Sequence, residues 1–342
     1  MKTYNLKPTK HPKLFRVVDR EGNWEHYAFI ETKGMPAIFL RGVTTILKNG
    51  YVKGPGLLKF LSDHTATERD EILKAAGEKG DKVHRAIDMM ISLPDPITLG
   101  GKAYPIAEPI VQKLENGVGI FNKEAGDYEP ISNEEWDALL AFSSFWNAHE
   151  PVVLKSEGSL YSIAGGYAGT ADAIVILTKA CEVKMCKCED LIGKIGLFDW
   201  KTSKGIYPEY YAQSAAYANA ENIGEYLPPE GKIDYIAILR LGTPHKTTGG
   251  YEFKAVTGEG LKGAFNLFNA AKSIADFEYT PFNPERDIEE IPDSLEIQVK
   301  HFDFEAAKKE AEEKAKEKAF VVIYPVKVEE VAKPKRKSKT NG

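Results

Sequence analysis

Apolar and polar positions alternate along the first part of the chain. The segments 15–18, 24–30 and 37–40 are short apolar runs separated by turn residues, a pattern typical of β-hairpins. From residue 44 to 150 the apolar positions recur at intervals of three and four, and helix-capping residues precede them. Thr67 leads Asp70 and Glu71, and Ser132 leads Glu135. We therefore predict an N-terminal β-hairpin region (1–43) followed by a helical subdomain (44–150).

The pattern changes again at residue 151. Strand-like segments follow at 152–154, 171–177, 196–200, 233–239 and 251–256, with helical patterns at 207–221 and 261–277. These patterns predict an α/β core (151–300) with a mixed sheet. A charged helix over 304–319 and a strand over 320–324 make up the segment 301–327, and the basic end (328–342) has the composition of a disordered tail.

The most informative polar residues lie at the end of an apolar strand. Asp199-Trp200-Lys201 follows Ile195-Gly196-Leu197-Phe198. Because side chains two residues apart on a strand share a face, Asp199 and Lys201 should project into one space while Trp200 points toward a core. An acid followed two residues later by lysine is common in this chain. The pair Asp199 and Lys201 is informative because it comes at the end of an apolar strand.

A second acid, Asp172, lies within an apolar strand that a glycine-rich segment, Gly165 to Gly169, precedes. An isolated carboxylate in such surroundings is costly to desolvate unless it is paired or binds a metal. The interval between the two acids is long enough for a hairpin, so their strands could be neighbours. Carboxylate oxygens suit Mg²⁺ or Mn²⁺, and such a cation would cancel the repulsion between the acids.

Together with further residues in order along the chain, this set resembles the PD-(D/E)XK nuclease superfamily. Within it, the chain is similar to RecB-type exonucleases, among them the mitochondrial genome maintenance exonuclease and its phage and bacterial relatives. The resemblance covers about residues 42–240 and is carried by Gly42 to Leu47, the helix around His84, Glu157, Gly166 to Asp172, Asp199 to Lys204, Gln213 and Tyr217.

The resemblance implies a restriction-endonuclease-like mixed sheet flanked by helices, and it implies roles for single residues. Asp172, Asp199 and the Trp200 carbonyl would hold the metal, and His84 and Glu157 would complete or tune its shell. Lys201 would position the attacking water and stabilise the developing charge. The residues assigned to DNA contact or to support of the ligands are Gln213, Tyr217, Thr202 and Ser203.

Structural alternatives stay open at this point for several of these residues. His84 has the surroundings of an ordinary core histidine, Glu157 could cap a strand, and Gln213 and Tyr217 could simply pack their helix. Cys181, Cys186 and Cys188 lie within eight residues of one another in a polar insertion. Three cysteines in this spacing lack the fourth ligand of a zinc site or an iron–sulfur cluster, so the sequence argues against both and favours reduced thiols.

Composition narrows the function classes only in part. The 342 residues include 45 Lys and Arg and 50 Asp and Glu, a net charge of −5 that neither supports nor excludes DNA, since a DNA groove needs only local basic residues. The chain has no apolar run long enough for a membrane span and no secretory signal, so we expect a cytoplasmic protein of a bacterium or a phage-infected cell.

The functional prediction is a metal-dependent exonuclease that hydrolyses DNA from its ends during phage or bacterial recombination, repair or replication. Its expected partners are DNA ends, including single strands, and a recombination or replication protein. The alternative is a non-catalytic DNA-binding or scaffold protein on the same fold. Strand polarity, single- or double-strand preference, the number of metals and the oligomeric state stay open.

Overall fold

The computed structural model describes residues 5–18, 24–52, 54–92, 97–99, 102–104, 111–115, 117–122, 125–183, 186–242 and 249–278, with positions 309, 312 and 313. The chain divides into two compact units, Met1–Glu285 and Arg286–Gly342. In the second unit the three described positions are helical, as predicted for 304–319. The predicted strand 320–324 and the basic tail from 328 lie outside the described residues.

Six helices occur in the described residues of the first unit: α1 (Val43–Gly50), α2 (Pro55–Asp63), α3 (Ala66–Ile91), α4 (Asn133–His149), α5 (Pro208–Ala218) and α6 (Gly258–Glu278). Two 3₁₀ turns lie at Glu189–Leu191 and Ile223–Tyr226. Within the same described ranges, no helix combines the length and the apolar character needed to cross a bilayer. Helix α6 matches the helix predicted at 261–277, and α5 falls inside the one predicted at 207–221.

The strands are β1 (Asn5–Pro8), β2 (Leu14–Val18), β3 (Trp24–Phe29), β4 (Ile38–Gly42), β5 (Ile97–Leu99), β6 (Lys102–Tyr104), β7 (Val111–Leu114), β8 (Gly117–Asn122), β9 (Asp127–Ile131), β10 (Val152–Ser162), β11 (Tyr167–Ile176), β12 (Ile195–Lys201), β13 (Tyr235–Leu241) and β14 (Tyr251–Thr257). All five strands predicted between 151 and 256 are present.

Nine strands form one mixed sheet in the order β1-β2-β3-β4-β11-β12-β13-β14, with β10 paired to β11. Strand β11 is the centre of this arrangement. It runs antiparallel to β10 and β12 and parallel to β4. The predicted N-terminal β-hairpins are present as β1 to β4, and they continue the main sheet through the pairing of β4 with β11.

Helices cover both faces of this sheet, because alternate residues of the central strands are apolar on both sides. Phe198 and Trp200 of β12 pack into a cluster with α3 and α4. Ile195 and Leu197 of the same strand pack into a second cluster with α1, α5 and α6. Strands apolar on both faces are typical of a sheet buried between two helical layers. The fold is thus a mixed α/β arrangement of helix, sheet and helix.

The prediction of a helical subdomain over 44–150 was wrong for its middle part. Strands β5 to β9 form two small antiparallel sheets there, and Gly117 and Gly126 take positive φ angles of 143° and 69° beside β8 and β9. These strands are short, and strand formation depends on pairing partners that a local pattern does not show. The cap of α3 is also Thr65, which forms a capping box with Glu68, not Thr67.

Candidate functional site

The two predicted acids meet where strands β11 and β12 separate. Backbone pairing between these strands ends at Ala173 and Phe198, and Asp172 and Asp199 are the next residues on each strand. Beyond that point the backbone N–H of Trp200 donates to Oδ2 of Asp172 at 2.7 Å instead of to a backbone carbonyl. The predicted adjacency of the two strands is confirmed. At the point where they separate, the Asp172 side chain accepts the hydrogen bond of the Trp200 N–H in place of a backbone carbonyl.

Asp199 and Lys201 share one side of β12, as the strand period predicts. Lys201 Nζ lies 2.7 Å from Asp199 Oδ1, and Nε2 of Gln213 on α5 donates to the same oxygen at 3.2 Å. The other carboxylate oxygen of Asp199, Oδ2, is buried and has no hydrogen-bond partner in the described part of the chain. Burial raises the pKa of Asp199 to about 6. Trp200 points to the opposite face and is 2% exposed.

Glu157 brings a third carboxylate to the same place. Ser156 pairs with Ala173 and Gly158 with Ala171, so Glu157 stands directly across from Asp172. Its φ angle is 50°, a left-handed conformation that costs a non-glycine residue about 1–3 kcal/mol and is typical of functional sites. Like charges directly opposite each other are unfavourable. Burial and the Asp172 charge accordingly raise the pKa of Glu157 to about 7.

His84 lies on helix α3 and contacts Asp172 and the backbone of β12. Its Nδ1 lies 3.2 Å from Asp172 Oδ1, and its Nε2 lies 3.1 Å from the Trp200 carbonyl oxygen. Both ring nitrogens therefore face acceptors, which requires the doubly protonated imidazolium. Burial alone would lower the pKa of His84, but Asp172 outweighs it and raises that pKa to about 9. The ring belongs to the acidic cluster, not to a purely apolar core.

The oxygen atoms gathered here fit a hard divalent cation. Ligand atoms of His84, Glu157 and Asp172 all lie within 4.8 Å of one another. The Trp200 carbonyl oxygen lies 3.1 Å from His84 Nε2, and Asp199, the preceding residue on β12, adds a buried carboxylate oxygen with no hydrogen-bond partner among the described residues. Such oxygen-rich sets suit Mg²⁺ or Mn²⁺. The His84 imidazolium bridges Asp172 and the Trp200 carbonyl and places positive charge beside the acids.

The remaining predicted residues lie close by but differ in exposure. Tyr217 is 4% exposed and packs on Gly169, where an added Cβ would come within 2.4 Å of its ring. Tyr217 lies one turn after Gln213 on α5, and its burial fits a supporting role better than contact with DNA. Thr202 and Ser203 are half-buried in the turn after β12, and the Ser203 hydroxyl donates to the Gly205 carbonyl at 2.8 Å.

Two residues of the site were missed by the sequence analysis. The Tyr210 ring lies 5.0 Å from Lys201 Nζ, a cation–π distance, and its spacing of three from Gln213 on α5 could have indicated it. Asp88 lies one turn after His84 on α3. Its carboxylate accepts hydrogen bonds from Ser156, next to Glu157, and from Lys10 at 3.0 Å. Asp88 thereby joins the helix that carries His84 to the strand that carries Glu157.

We expect Asp88→Asn to lower the free energy of unfolding by about 1–2 kcal/mol at neutral pH, because charge-assisted hydrogen bonds to a half-buried carboxylate are lost. Burial raises the pKa of Asp88, but its hydrogen bonds from Ser156, Ser92 and Lys10 outweigh that and lower it. A lowered carboxyl pKa stabilises the fold above the unfolded value of about 4 and ceases to do so as the pH falls through the folded value.

Urea unfolding of both proteins between pH 3 and 8 measures this prediction. The difference between wild type and Asp88→Asn should shrink below about pH 4. The exposed Asp81 on the same helix provides the control, since Asp81→Asn should change stability by less than about 0.5 kcal/mol. A difference that grows toward acid pH would contradict the assignment.

No protein-family model matches the chain, and no curated protein is significantly similar to it. The inference of a function therefore rests on the geometry of the site and on the resemblance of its residues to the PD-(D/E)XK nucleases.

Proposed function

We propose that this chain is a Mg²⁺- or Mn²⁺-dependent DNA exonuclease of the PD-(D/E)XK type, with a restriction-endonuclease-like core. One observation carries the proposal: Glu157, Asp172, Asp199 and Lys201, from three adjacent strands, converge where β11 and β12 separate. The mixed sheet with helices on both faces supports the same class. The resemblance supports DNA ends as the substrate and a role in recombination, repair or replication.

The residues that would hold the cation are Asp172, Asp199 and the Trp200 carbonyl, with Glu157 and His84 completing or tuning the shell. When bound, a divalent cation neutralises the acids, polarises the phosphate and makes a water molecule more acidic. The unpaired Oδ2 of Asp199 supports this assignment, because a buried carboxylate oxygen without a partner is costly unless a ligand occupies it.

Lys201 supplies positive charge beside the phosphate. Burial lowers the pKa of its amine, but Asp199 and Asp172 outweigh burial and raise it, so the side chain is an ammonium at neutral pH. An ammonium held in place before the reaction stabilises the charge that develops on the phosphorane oxygens. Asp199 fixes its position from one side and the Tyr210 ring from the other. Gln213 in turn anchors the Asp199 carboxylate.

The proposal is tested with the purified chain on end-labelled linear duplex, end-labelled single-stranded and covalently closed circular DNA. We expect Mg²⁺- or Mn²⁺-dependent release of nucleotides from the linear substrates, no reaction on circles, and no reaction in the presence of EDTA. DNA binding without cleavage under any metal condition would instead favour the non-catalytic DNA-binding alternative and contradict the proposal.

We expect Lys201→Met to reduce the rate of cleavage by about 10²-fold, the usual effect of removing one pre-positioned stabiliser of transition-state charge. Methionine keeps the apolar stem and removes only the ammonium. DNA affinity, measured with Ca²⁺ in place of Mg²⁺, should change little. Lys194→Met is the matched control, because Lys194 is exposed just before the same strand. Equal rates for Lys201→Met and wild type would remove Lys201 from the reaction.

A further inference from the structure

The second group of potential metal ligands lies apart from the acids and is made of sulfur and nitrogen. It consists of His149, Cys181, Cys186 and Cys188, whose ligand atoms all lie within 4.8 Å of one another. The three cysteines are free thiols, and all four residues are buried. The three cysteines come from the connection between β11 and β12, and His149 is the last residue of α4.

The distances within this group match the edges of a zinc tetrahedron. Bonds of about 2.3 Å to sulfur and 2.0–2.1 Å to nitrogen place neighbouring ligand atoms roughly 3.5–3.8 Å apart. Sγ of Cys181 and Sγ of Cys188 are 3.6 Å apart, and Nε2 of His149 lies 3.3 Å from Sγ of Cys186. These spacings are well beyond a disulfide bond of about 2.05 Å. The group has the size of a closed four-ligand site.

The orientation of His149 also fits a metal ligand. Its Nδ1 lies 2.7 Å from the Phe145 carbonyl one turn earlier on α4, and its ring stacks on the Phe145 ring at 4.1 Å. Since a carbonyl can only accept, Nδ1 carries the proton and Nε2 presents its lone pair to the cysteines. A second ring nitrogen that donates to a backbone carbonyl is the usual support of a metal-binding histidine.

The backbone of the insertion is arranged around the same point. The N–H of Cys181 donates to Sγ of Cys188 at 3.3 Å, a contact that favours a thiolate. The N–H groups of Thr178 and Lys179 donate to the His149 carbonyl, which joins the start of the insertion to the end of α4. Connections longer than about 12–15 residues are uncommon in compact domains unless they have a specific function. Binding of a metal would give the connection 177–194 such a function.

We propose that His149, Cys181, Cys186 and Cys188 bind one Zn²⁺ as a structural Cys₃His site. Buried cysteine and histidine ligands without an open position are typical of structural zinc rather than catalytic zinc. This inference reverses the expectation from the cysteine spacing, which lacked a fourth ligand because His149 is distant in sequence. It also rests on residues other than those of the proposed nuclease centre.

The site has a mechanical consequence for the strands that carry the acids. The insertion joins the end of β11 to the start of β12, four residues beyond Asp172 and four before Asp199. At about 3.3 Å per residue, the zinc would clamp this hairpin roughly 13 Å along the strands from the acids. Zinc removal should therefore lower the thermal midpoint of unfolding.

The first test is the metal content of the full chain, produced with added Zn²⁺ and dialysed against zinc-free buffer. We expect about one zinc per chain in wild type, by mass spectrometry of the metal, and a substoichiometric amount in Cys186→Ser and His149→Asn. His64→Asn is the matched histidine control and should keep its zinc. Asp172→Asn should also keep it, which separates this site from the proposed catalytic centre.

Wild-type protein alone gives a second test that does not depend on whether the variants fold. A mercurial thiol reagent should release one zinc per three thiols modified, detected with a chromogenic chelator. Replacement of Zn²⁺ by Co²⁺ should produce thiolate-to-cobalt charge-transfer absorption. Three thiols that react at once without zinc release, a Cys181–Cys188 disulfide, or iron in place of zinc would each overturn the proposal.

Discussion

Asp199→Asn should abolish cleavage while leaving the folded protein at least as stable as wild type in the absence of metal. The loss of activity follows from the charge: asparagine is nearly isosteric but cannot neutralise a divalent cation. Metal chemistry contributes several kcal/mol of transition-state stabilisation, and each 1.36 kcal/mol is a factor of ten, so the rate should fall by at least about 10³-fold.

Although its activity falls, the free energy of unfolding of Asp199→Asn should rise or stay unchanged, because of where the carboxylate lies. Burial raises the pKa of Asp199 to about 6, so above that pH the metal-free fold contains a buried carboxylate that the unfolded chain would solvate. A folded pKa above the unfolded value of about 4 means that stability falls as the pH rises through this window. Asparagine removes that loss, and its Oδ1 can still accept a hydrogen bond from Lys201, whose charge Asp172 continues to compensate. Activity and stability together therefore distinguish a metal ligand from a structural acid.

Rates on end-labelled linear DNA with Mg²⁺ and urea unfolding in EDTA at pH 8 measure the two effects. Asp234→Ala is the reciprocal control, because Asp234 Oδ2 accepts the Ile195 N–H at 3.0 Å at the start of β12. It should lower stability by about 1 kcal/mol and leave the rate near wild type. An Asp199→Asn protein that unfolds easily but retains its activity when folded would show that Asp199 is structural.

Trp200→Ala should lower the free energy of unfolding by about 3–5 kcal/mol, the range for removing a large aromatic side chain from a core. The Trp200 ring is 2% exposed and packs against Phe142 of α4 and Phe198 of β12, with ring centroids 5.4 and 5.5 Å away. An alanine side chain would leave most of the volume of the Trp200 ring empty. The substitution leaves the backbone carbonyl of residue 200 in place.

Urea unfolding measures this loss, and Trp146→Ala provides the comparison. Trp146 packs on the same Phe142 ring at 5.0 Å but is only partly buried, so its removal should cost less. Protein that remains folded at low temperature should still cut DNA, because only the backbone carbonyl of residue 200 is assigned to the proposed metal site. Equal losses for the two variants would mean that Trp200 is not a central packing residue.

Local periodicity predicted the parts of the site that lie on one element. Asp199 and Lys201 share a side of β12, Trp200 faces the core, and Gln213 lies on the helix face toward the acids, because strand and helix geometry place residues by their spacing alone. The strands between 151 and 256 were recognisable for the same reason. The motif order along the chain added His84 and Glu157, which spacing alone would not select.

Long-range packing decided what the sequence pattern could not show. That β11 also pairs with β4, and that Asp88 reaches Ser156, depend on elements far apart in the chain. Strands β5 to β9 were missed because short strands are selected by their partners. Such contacts form only when the whole sheet and its helical layers assemble.

The amino-acid sequence by itself indicated which residues to propose for the chemistry, and it determined which faces of single strands and helices they occupy. The tertiary structure alone decided that Glu157 and Asp172 meet across adjacent strands beside His84, and that His149 joins three cysteines of a distant insertion. The reason is physical: side-chain direction follows from local backbone geometry, whereas the distance between remote side chains follows from how the layers pack.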